Sequence, residues 1–369
     1  PTRRSSDLDE AYYDESELTQ GEGGEKLSPQ GTPVEWTVEE SWFFRLSNYA
    51  EPLLELYRSH PEFIQPDSRR NEVMRFVEGG LRDLSVSRTS FDWGIKVPGS
   101  DRHVMYVWVD ALNNYLTGLG FPGDAEGAVA KWWPADLHLI GKDIVRFHAV
   151  YWPAFLMSAD LPLPRQVYGH GFLLNRGQKE SKSLGNVTDP LALARQFGVD
   201  TLRYFLMREV AFGQDGSYSP DAIVTRANAE LANSFGNLVQ RVCSMIFKNM
   251  DGRLRLFSDQ TIPADDVLRG TVRDACAVEL PREFAALSFS TGIEAWMRAV
   301  FACNAYIDEQ APWALRKTDP ARMEAVLLCL FMAIRDLAIA ISPVVPTAAG
   351  KVLDQLGIPA GERDLAALA

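Results

Sequence analysis

The sequence is short of cysteine, of long apolar runs and of basic residues, and each shortage narrows what it can be. Only four cysteines occur in 369 residues, Cys243, Cys276, Cys303 and Cys329. Their spacings fit neither a paired-knuckle zinc site nor a disulfide framework, so they read as buried, reduced thiols of a cytoplasmic protein. No apolar stretch approaches the roughly 20 residues that span a bilayer. The reading therefore expects neither a transmembrane segment nor a signal peptide. Lys and Arg number 37 against 49 Asp and Glu, a net charge of −12 at pH 7. That balance excludes a general nucleic-acid coater but leaves room for a local basic groove on an acidic body. No internal repeat is present.

With 46% hydrophobic and 23% charged residues, the composition is that of a globular protein long enough for two or three domains. Pro1 to Leu8 (PTRRSSDL) lacks an initiator methionine and coincides with an in-frame reading of a common sequencing-adapter oligonucleotide, so the chain is expected to be a fragment. Asp9 to Val34 is acidic and glycine-rich, which suits an extended arm that Tyr12 and Tyr13 could dock. From Glu39 to Ser59, Trp42, Phe43, Leu46, Tyr49, Leu53, Leu56 and Tyr57 recur at helical spacing, and a second helix covers Asn71 to Leu84. Pro61 and Pro66 separate the two. Short β-like pieces follow at Leu84–Val86 and Val104–Trp108, and Asp110 can cap the next helix or touch a ligand.

Between Asp136 and Phe172 the pattern is that of an α/β unit. Asp136–Ile140 (DLHLI) reads as a buried strand, Gly141-Lys142-Asp143 as a tight turn, Ile144–Met157 as a helix and Gln166–Gly169 as the next strand. A strand, a crossover helix and a parallel strand make the doubly wound unit, which binds ligands at the carboxyl ends of its strands. The stretch Gln178-Lys179-Glu180-Ser181-Lys182-Ser183-Leu184-Gly185-Asn186 follows that edge directly. Lysine brings a mobile point charge, serine adds neutral donors, and Gly177 and Gly185 let the backbone approach a ligand. Such a loop suits a phosphate clamp; by itself it also suits a solvated turn.

Beyond Asp189-Pro190 the chain turns helical: Leu191–Phe197, Asp200–Glu209, Pro220–Met250, Asp265–Phe284, Ser288–Glu309, Asp319–Ile341 and Thr347–Leu356. Ser219-Pro220, Asp319-Pro320 and Asp200 supply start signals, and a separate helix bundle is the economical reading.

These residues resemble a known family. The run His138 to Asp189 (HLIGKDIVRFHAVYWPAFLMSADLPLPRQVYGHGFLLNRGQKESKSLGNVTDP) closely resembles methionyl-tRNA synthetase, a class I aminoacyl-tRNA synthetase. Ser68 to Gly94 (SRRNEVMRFVEGGLRDLSVSRTSFDWG) and Tyr106 to Tyr115 (YVWVDALNNY) carry the more family-specific likeness. The resemblance extends from Asp9 to about Leu356. It implies an α/β plus all-α architecture: a remnant of the connective insertion over 1–67, the second half of a Rossmann-type catalytic domain over 68–216, and a helical anticodon-binding domain over 217–369.

The family's Lys-Met-Ser-Lys-Ser loop stands here as Lys179-Glu180-Ser181-Lys182-Ser183. The resemblance makes Lys182 the main transition-state cation, assisted by Lys179, with Ser181, Ser183, His170 and Gly171 on the ATP side. Glu180 departs from the pattern. An acid aimed between two phosphate-binding lysines would weaken them, so Glu180 is expected to face solvent or another protein cation. Trp108, Ala111, Leu112 and Tyr115 fall at i, i+3, i+4 and i+7, a spacing that ordinary core packing also produces. The resemblance makes them walls of a methionine pocket, closed by Ile144 and His148; the family usually has proline where Leu112 stands. Lys142 and Asp143 suit helix-capping charges. In the bundle, Asn237, Arg241 and Trp313 are by resemblance the readers of the CAU anticodon.

The second class I signature, His-Ile-Gly-His-like, is not found in this sequence. The resemblance thus implies ATP, Mg²⁺, methionine and tRNA(Met) as ligands of a methionine–tRNA ligase whose first Rossmann half these residues do not supply. No zinc ligand set is recognisable. The alternative is a non-catalytic tRNA-binding protein derived from a class I synthetase. Another synthetase, of the leucine, valine, isoleucine or cysteine group, is disfavoured by the Trp108–Tyr115 stripe.

Overall fold

A computed structural model describes every residue except 1, 7–10, 14, 22, 29–30, 39, 124–125, 176, 181–186 and 369. The chain forms two compact units, Pro1–His170 and Gly171–Ala369. The division falls inside the 68–216 span that the sequence reading assigns to one domain.

In the first unit the expected arm is folded. Thr2–Ser6 lies between Ala11–Tyr13 and Glu35–Val38 in an antiparallel sheet, and Thr19–Gln20 pairs with Lys26–Leu27. The helix expected from Glu39 begins as a 3₁₀ turn at Leu46–Tyr49 and continues as α-helix from Ala50 to Ser59. Upstream of it, Phe43–Phe44 pairs antiparallel with Leu84–Ser85. The Trp42 N–H donates to Ser87 Oγ at 2.9 Å, and the Ser41 and Ser85 hydroxyls meet at 2.6 Å. Apolar residues at 42 and 43 belong to this strand edge, and helical structure starts only at Leu46. Likewise the next helix, Val107–Thr117, starts with Tyr106 at its cap position, so Asp110 lies within the first turn and is not the cap.

The parallel unit is present, with one strand the sequence reading missed. His138–Gly141 pairs with Val167–His170, which pairs in turn with Ile64–Gln65, the dipeptide between Phe63 and Pro66. The crossover opens with a 3₁₀ turn at Lys142–Ile144, widens to π geometry over Phe147–Tyr151 and closes as α-helix over Trp152–Ser158. Behind the sheet, Leu53, Tyr57, Ile64, Val73, Val77, Val145, Ala149, Val150 and Val167 form a closed core. Full burial of each aliphatic side chain there is worth about 1.5–3 kcal/mol. The Tyr57 hydroxyl donates to the Ala149 carbonyl at 2.6 Å, which ties the helix Ala50–Ser59 to the crossover.

The second unit opens with Leu173–Asn175, antiparallel to Gln178–Lys179 and parallel to Gly216–Tyr218. Helices follow at Pro190–Phe197 and Val199–Glu209, then a continuous helical run through Pro220–Arg226, Ala227–Gly236 and Asn237–Met250. Ser219 and Asp319 cap as their sequence suggests, accepting the Ala222 and Arg322 N–H groups, and Asp189 caps Pro190–Phe197 by accepting the Leu191 N–H. Asp200 does not cap its own helix: Gly198 holds that position, and Asp200 Oδ2 accepts the Ala348 N–H, at the first turn of Pro346–Gln355, at 2.6 Å. Further helices span Pro263–Arg273, Phe289–Gln310 and Pro320–Ile341. A short helix, Pro312–Thr318, was not anticipated; Ala311 turns into it at φ 42°, placing Trp313 in its first turn.

Trp296 anchors the bundle core and donates Nε1–H to the Leu337 carbonyl at 2.9 Å. Arg322 grips buried Asp265 with two bonds of 2.6 and 2.7 Å, and the Tyr306 hydroxyl adds a third at 2.6 Å. Burial pulls the Asp265 carboxyl up, but the bonds from Arg322, Tyr306 and the Ile262 N–H outweigh it and hold the group below its usual value. Removing one partner of such a buried pair costs about 3–5 kcal/mol, because the other charge is left stranded. Cys276, Cys303 and Cys329 are buried and Cys243 is half-buried, all as free thiols. Among the described residues no helix is long and apolar enough to cross a membrane.

Candidate active site

In the first unit the helix Val107–Thr117 and the crossover bring Trp108, Tyr115 and His148 together. The Trp108 ring stacks on Phe147 with centroids 3.8 Å apart and planes 14° from parallel, and it meets His148 edge-on at 6.3 Å. Tyr115 Oη lies 2.8 Å from His148 Nε2, while His148 Nδ1 lies 3.0 Å from the Ile144 carbonyl oxygen. A carbonyl can only accept, so Nδ1 carries the proton and Nε2 accepts from the tyrosine. Burial lowers the His148 pKa, and the bond to Ile144 offsets this only in part, so the ring is neutral. The side chain takes the Ile144 carbonyl where the backbone widens to π geometry, a feature common at functional sites.

The other expected pocket residues divide. Leu112 is buried against Leu116, Trp133, Trp152 and Leu156, whereas Ala111 is exposed. The Ile144 side chain packs on the core behind the sheet, so its contribution beside His148 is its carbonyl. Lys142 and Asp143 sit in the 3₁₀ turn that follows Gly141.

Four neighbours escaped the sequence reading. His138 begins the first parallel strand with its ring 4.1 Å from Tyr115 and 6.0 Å from both Trp133 and His148. It is buried, and its Nε2 has no hydrogen-bond partner among the described residues. Desolvation, and secondarily His148, push its pKa down to about 4. Phe147, Trp133 and Trp152 complete an aromatic lining. The signal for Phe147 was its place three residues after Ile144; that for His138 was a histidine inside an apolar strand. Aromatic edges with a neutral, unpartnered nitrogen suit a ligand that is apolar and polarisable at one end and polar at the other.

The second unit carries the phosphate-type loop. Gly177, at φ 80°, turns the chain between Asn175 and Gln178. Lys179 ends the second strand of this hairpin, while Ser181, Lys182 and Ser183 lie outside the described residues. Glu180 is partly exposed, and among the described residues its carboxylate is held by hydroxyls and makes no ion pair. Its Oε1 accepts from the Thr188 and Tyr218 hydroxyls, each at 2.6 Å. These bonds, Thr188 first, hold its carboxyl below the usual range. His170 ends the parallel strand of the first unit. Gly171 has a steric role: a Cβ there would fall 2.2 Å from the Gln214 carbonyl carbon and oxygen.

Among the expected anticodon readers, Asn237 is exposed one turn before Arg241 on the helix Asn237–Met250. The Arg241 guanidinium lies 5.5 Å from the centre of the Trp313 ring and pairs with Asp308 at 2.5 Å. The structure thus joins two of the three. Among the described residues no group of three or more His, Cys, Asp or Glu could hold a metal ion.

Residues 24–243 match the family model described as tRNA synthetases class I (M), and residues 282–364 match that of the anticodon binding domain of methionyl tRNA ligase. The methionine–tRNA ligase of Rhizobium meliloti (strain 1021) is 53% identical over 366 residues, covering 98% of this chain and 69% of that protein. The Mycobacterium tuberculosis methionyl-tRNA synthetase in complex with methionyl-adenylate superposes with a TM-score of 0.95 at 51% identity, over 100% of this chain and 73% of that one. The apo form of the Mycobacterium tuberculosis enzyme gives 0.92 at 49% identity, with the same coverage.

Proposed function

The chain belongs to the class I methionyl-tRNA synthetase family, and from that premise we propose that it takes part in ATP-dependent ligation of methionine to tRNA(Met) through methionyl-adenylate. The observation that carries the reading is the cluster of Trp108, Phe147, Tyr115 and His148, whose ring edges and fixed tautomer suit a thioether side chain. His138 Nε2 offers one further polar contact in the same cluster.

In the first step a methionine carboxylate oxygen bonds to the α-phosphorus of ATP, and the bond to the bridging oxygen breaks. Pyrophosphate leaves with the electron pair. Lys182 and Lys179, with Ser181 and Ser183, are the groups proposed to stabilise that leaving charge, and His170 and Gly171 lie on the nucleotide side. Mg²⁺ enters with ATP as part of the substrate. A ribose hydroxyl at the tRNA 3′ end then attacks the methionyl carbonyl carbon and AMP departs. Asn237, Arg241 and Trp313 are the proposed readers of the CAU anticodon, by base hydrogen bonds and stacking.

The sequence holds no His-Ile-Gly-His-like run, so these 369 residues on their own are expected to show no methionine-dependent ATP–pyrophosphate exchange above background. Robust exchange would refute that. The same absence keeps non-catalytic tRNA binding as the second reading, and a tRNA titration tests the part the two share. Preference for a CAU over a substituted anticodon supports the bundle assignment; equal affinities reject it.

A further inference from the structure

Glu180 occupies the one position in the lysine loop where this chain departs from its family's signature, and its surroundings show what the change does. The carboxylate oxygen Oε1 collects two hydroxyl donors from distant parts of the chain: Thr188, eight residues on, and Tyr218, 38 residues on. Thr188 stands just before Asp189, the cap of the helix Pro190–Phe197. Tyr218 ends the strand Gly216–Tyr218, which flanks Leu173–Asn175. Asn175 Nδ2 reaches the Thr188 hydroxyl at 3.4 Å, so the hairpin touches the same junction from its other strand. Beside Glu180 lies a cavity of about 160 Å³, walled largely by apolar groups including Leu173, Leu193, Phe205 and Ile223.

These contacts cannot be incidental to a solvated acid. A carboxylate has four lone-pair directions and no donor of its own, so two short hydroxyl bonds to one oxygen fix its orientation. The bonds tie Glu180 to Thr188, just ahead of the helix Pro190–Phe197, and to the end of the strand Gly216–Tyr218. They also bind the end of the Gln178–Lys179 strand to a third strand that it does not itself pair with.

We propose that Glu180 is a positioning residue for Lys179, acting as a clasp that fastens the Gln178–Lys179 hairpin to Thr188 and to Tyr218. This rests on the reading of Lys179 and Lys182 as pyrophosphate-binding groups. The Glu180 charge is taken up by the two hydroxyls, which lets an acid stand inside a phosphate-binding sequence.

The test is hydrogen exchange and pyrophosphate binding on the whole chain with three substitutions. Glu180→Ala should speed exchange of the Gln178 and Lys179 amides and of those from Val187 to Leu191 at least tenfold, with bundle amides between Pro263 and Ile341 unchanged. Glu180→Gln keeps an accepting oxygen and should stay within threefold of the parent. The double substitution Thr188→Val with Tyr218→Phe should reproduce the alanine result. Inorganic pyrophosphate, followed by calorimetry, should bind at least tenfold more weakly to Glu180→Ala and nearly normally to Glu180→Gln. Parent-like exchange in Glu180→Ala, or failure of glutamine to restore it, overturns the clasp. If the parent binds pyrophosphate no better than Lys182→Ala does, the lysine assignment falls instead, and hydrogen exchange still decides the clasp.

Discussion

The Tyr115 hydroxyl and His148 Nε2 meet at 2.8 Å, and the direction of the proton between them is set from the far side of the ring by the Ile144 carbonyl. Tyr115→Phe removes the only donor shown for that nitrogen and leaves a buried acceptor unsatisfied, a cost of about 1–3 kcal/mol. Burial raises the pKa of the Tyr115 phenol, so it remains a donor throughout the physiological range. The expected outcome is methionine binding weakened roughly tenfold, equivalent to about 1.4 kcal/mol. Titration calorimetry with methionine checks it; an unchanged dissociation constant removes Tyr115 from the site.

His138 gives the first unit an acid-sensitive stability. The residue is 4% exposed, and burial first, then His148, lowers its pKa from 6.5 to about 4. The unfolded chain takes up the proton near 6.5 and the folded chain only near 4, so between those values the unfolded state holds more protons. Its stabilising contribution is therefore complete above pH 6.5 and is lost progressively as the pH falls to about 4. Between pH 6.5 and pH 5 the loss should approach about 2 kcal/mol. His138→Leu should flatten the dependence over that window in urea unfolding followed by tryptophan fluorescence. Identical slopes for parent and variant would place the acid sensitivity elsewhere.

Gly171 tests whether a glycine proposed to lie on the nucleotide side serves the ligand or the fold. An added Cβ would lie 2.2 Å from the Gln214 carbonyl and 2.5 Å from the Asp215 nitrogen, all backbone atoms that cannot rotate away. The next residue donates its N–H to Asp215 Oδ1 at 2.8 Å, so any displacement also disturbs that bond. Gly171→Ala should destabilise the second unit by about 1–3 kcal/mol, the usual cost of forced overpacking. Thermal unfolding measures it. A normal midpoint with weakened ATP binding would identify the glycine as a ligand contact.

What the sequence disclosed and what it hid follow from where each signal resides. The strands His138–Gly141 and Val167–His170 were legible because apolar runs bounded by a glycine turn and a helical stretch leave few alternatives. Ile64–Gln65 was not, since two residues ahead of a proline carry no period. Trp42 and Phe43 fitted a helical spacing by coincidence, and only the bond from Trp42 to Ser87, 45 residues away, shows their true setting. The stripe Trp108–Tyr115 was visible, but its division was not: Leu112 points into the core while Tyr115 reaches His148. Glu180 stood out as an anomaly, yet its partners are tertiary. No local rule could have supplied Tyr218.

Trp313 and Arg241 carry the last prediction. Trp313 is 50% exposed in the first turn of a short helix, and the Arg241 guanidinium lies 5.5 Å from its ring centre while held by Asp308. A half-exposed indole contributes little to the bundle, whose core is built on Trp296 and the helix Pro320–Ile341. Its exposed ring can accept a base, and stacking on an aromatic side chain is worth about 1–3 kcal/mol per base. The cation contact contributes about 0.5–1 kcal/mol at such a site and keeps the ring oriented when no nucleic acid is bound. Trp313→Ala should therefore weaken tRNA(Met) binding roughly tenfold, the equivalent of about 1.4 kcal/mol, and shift the unfolding midpoint little. Trp313→Phe, which keeps a smaller stacking surface, should fall between. Filter binding at fixed salt with tRNA(Met) and with an anticodon-substituted tRNA separates stacking from general attraction, since loss of an anticodon contact narrows the difference between the two. If Trp313→Ala binds tRNA(Met) as the parent does, the ring is a surface residue and the stacking role is rejected.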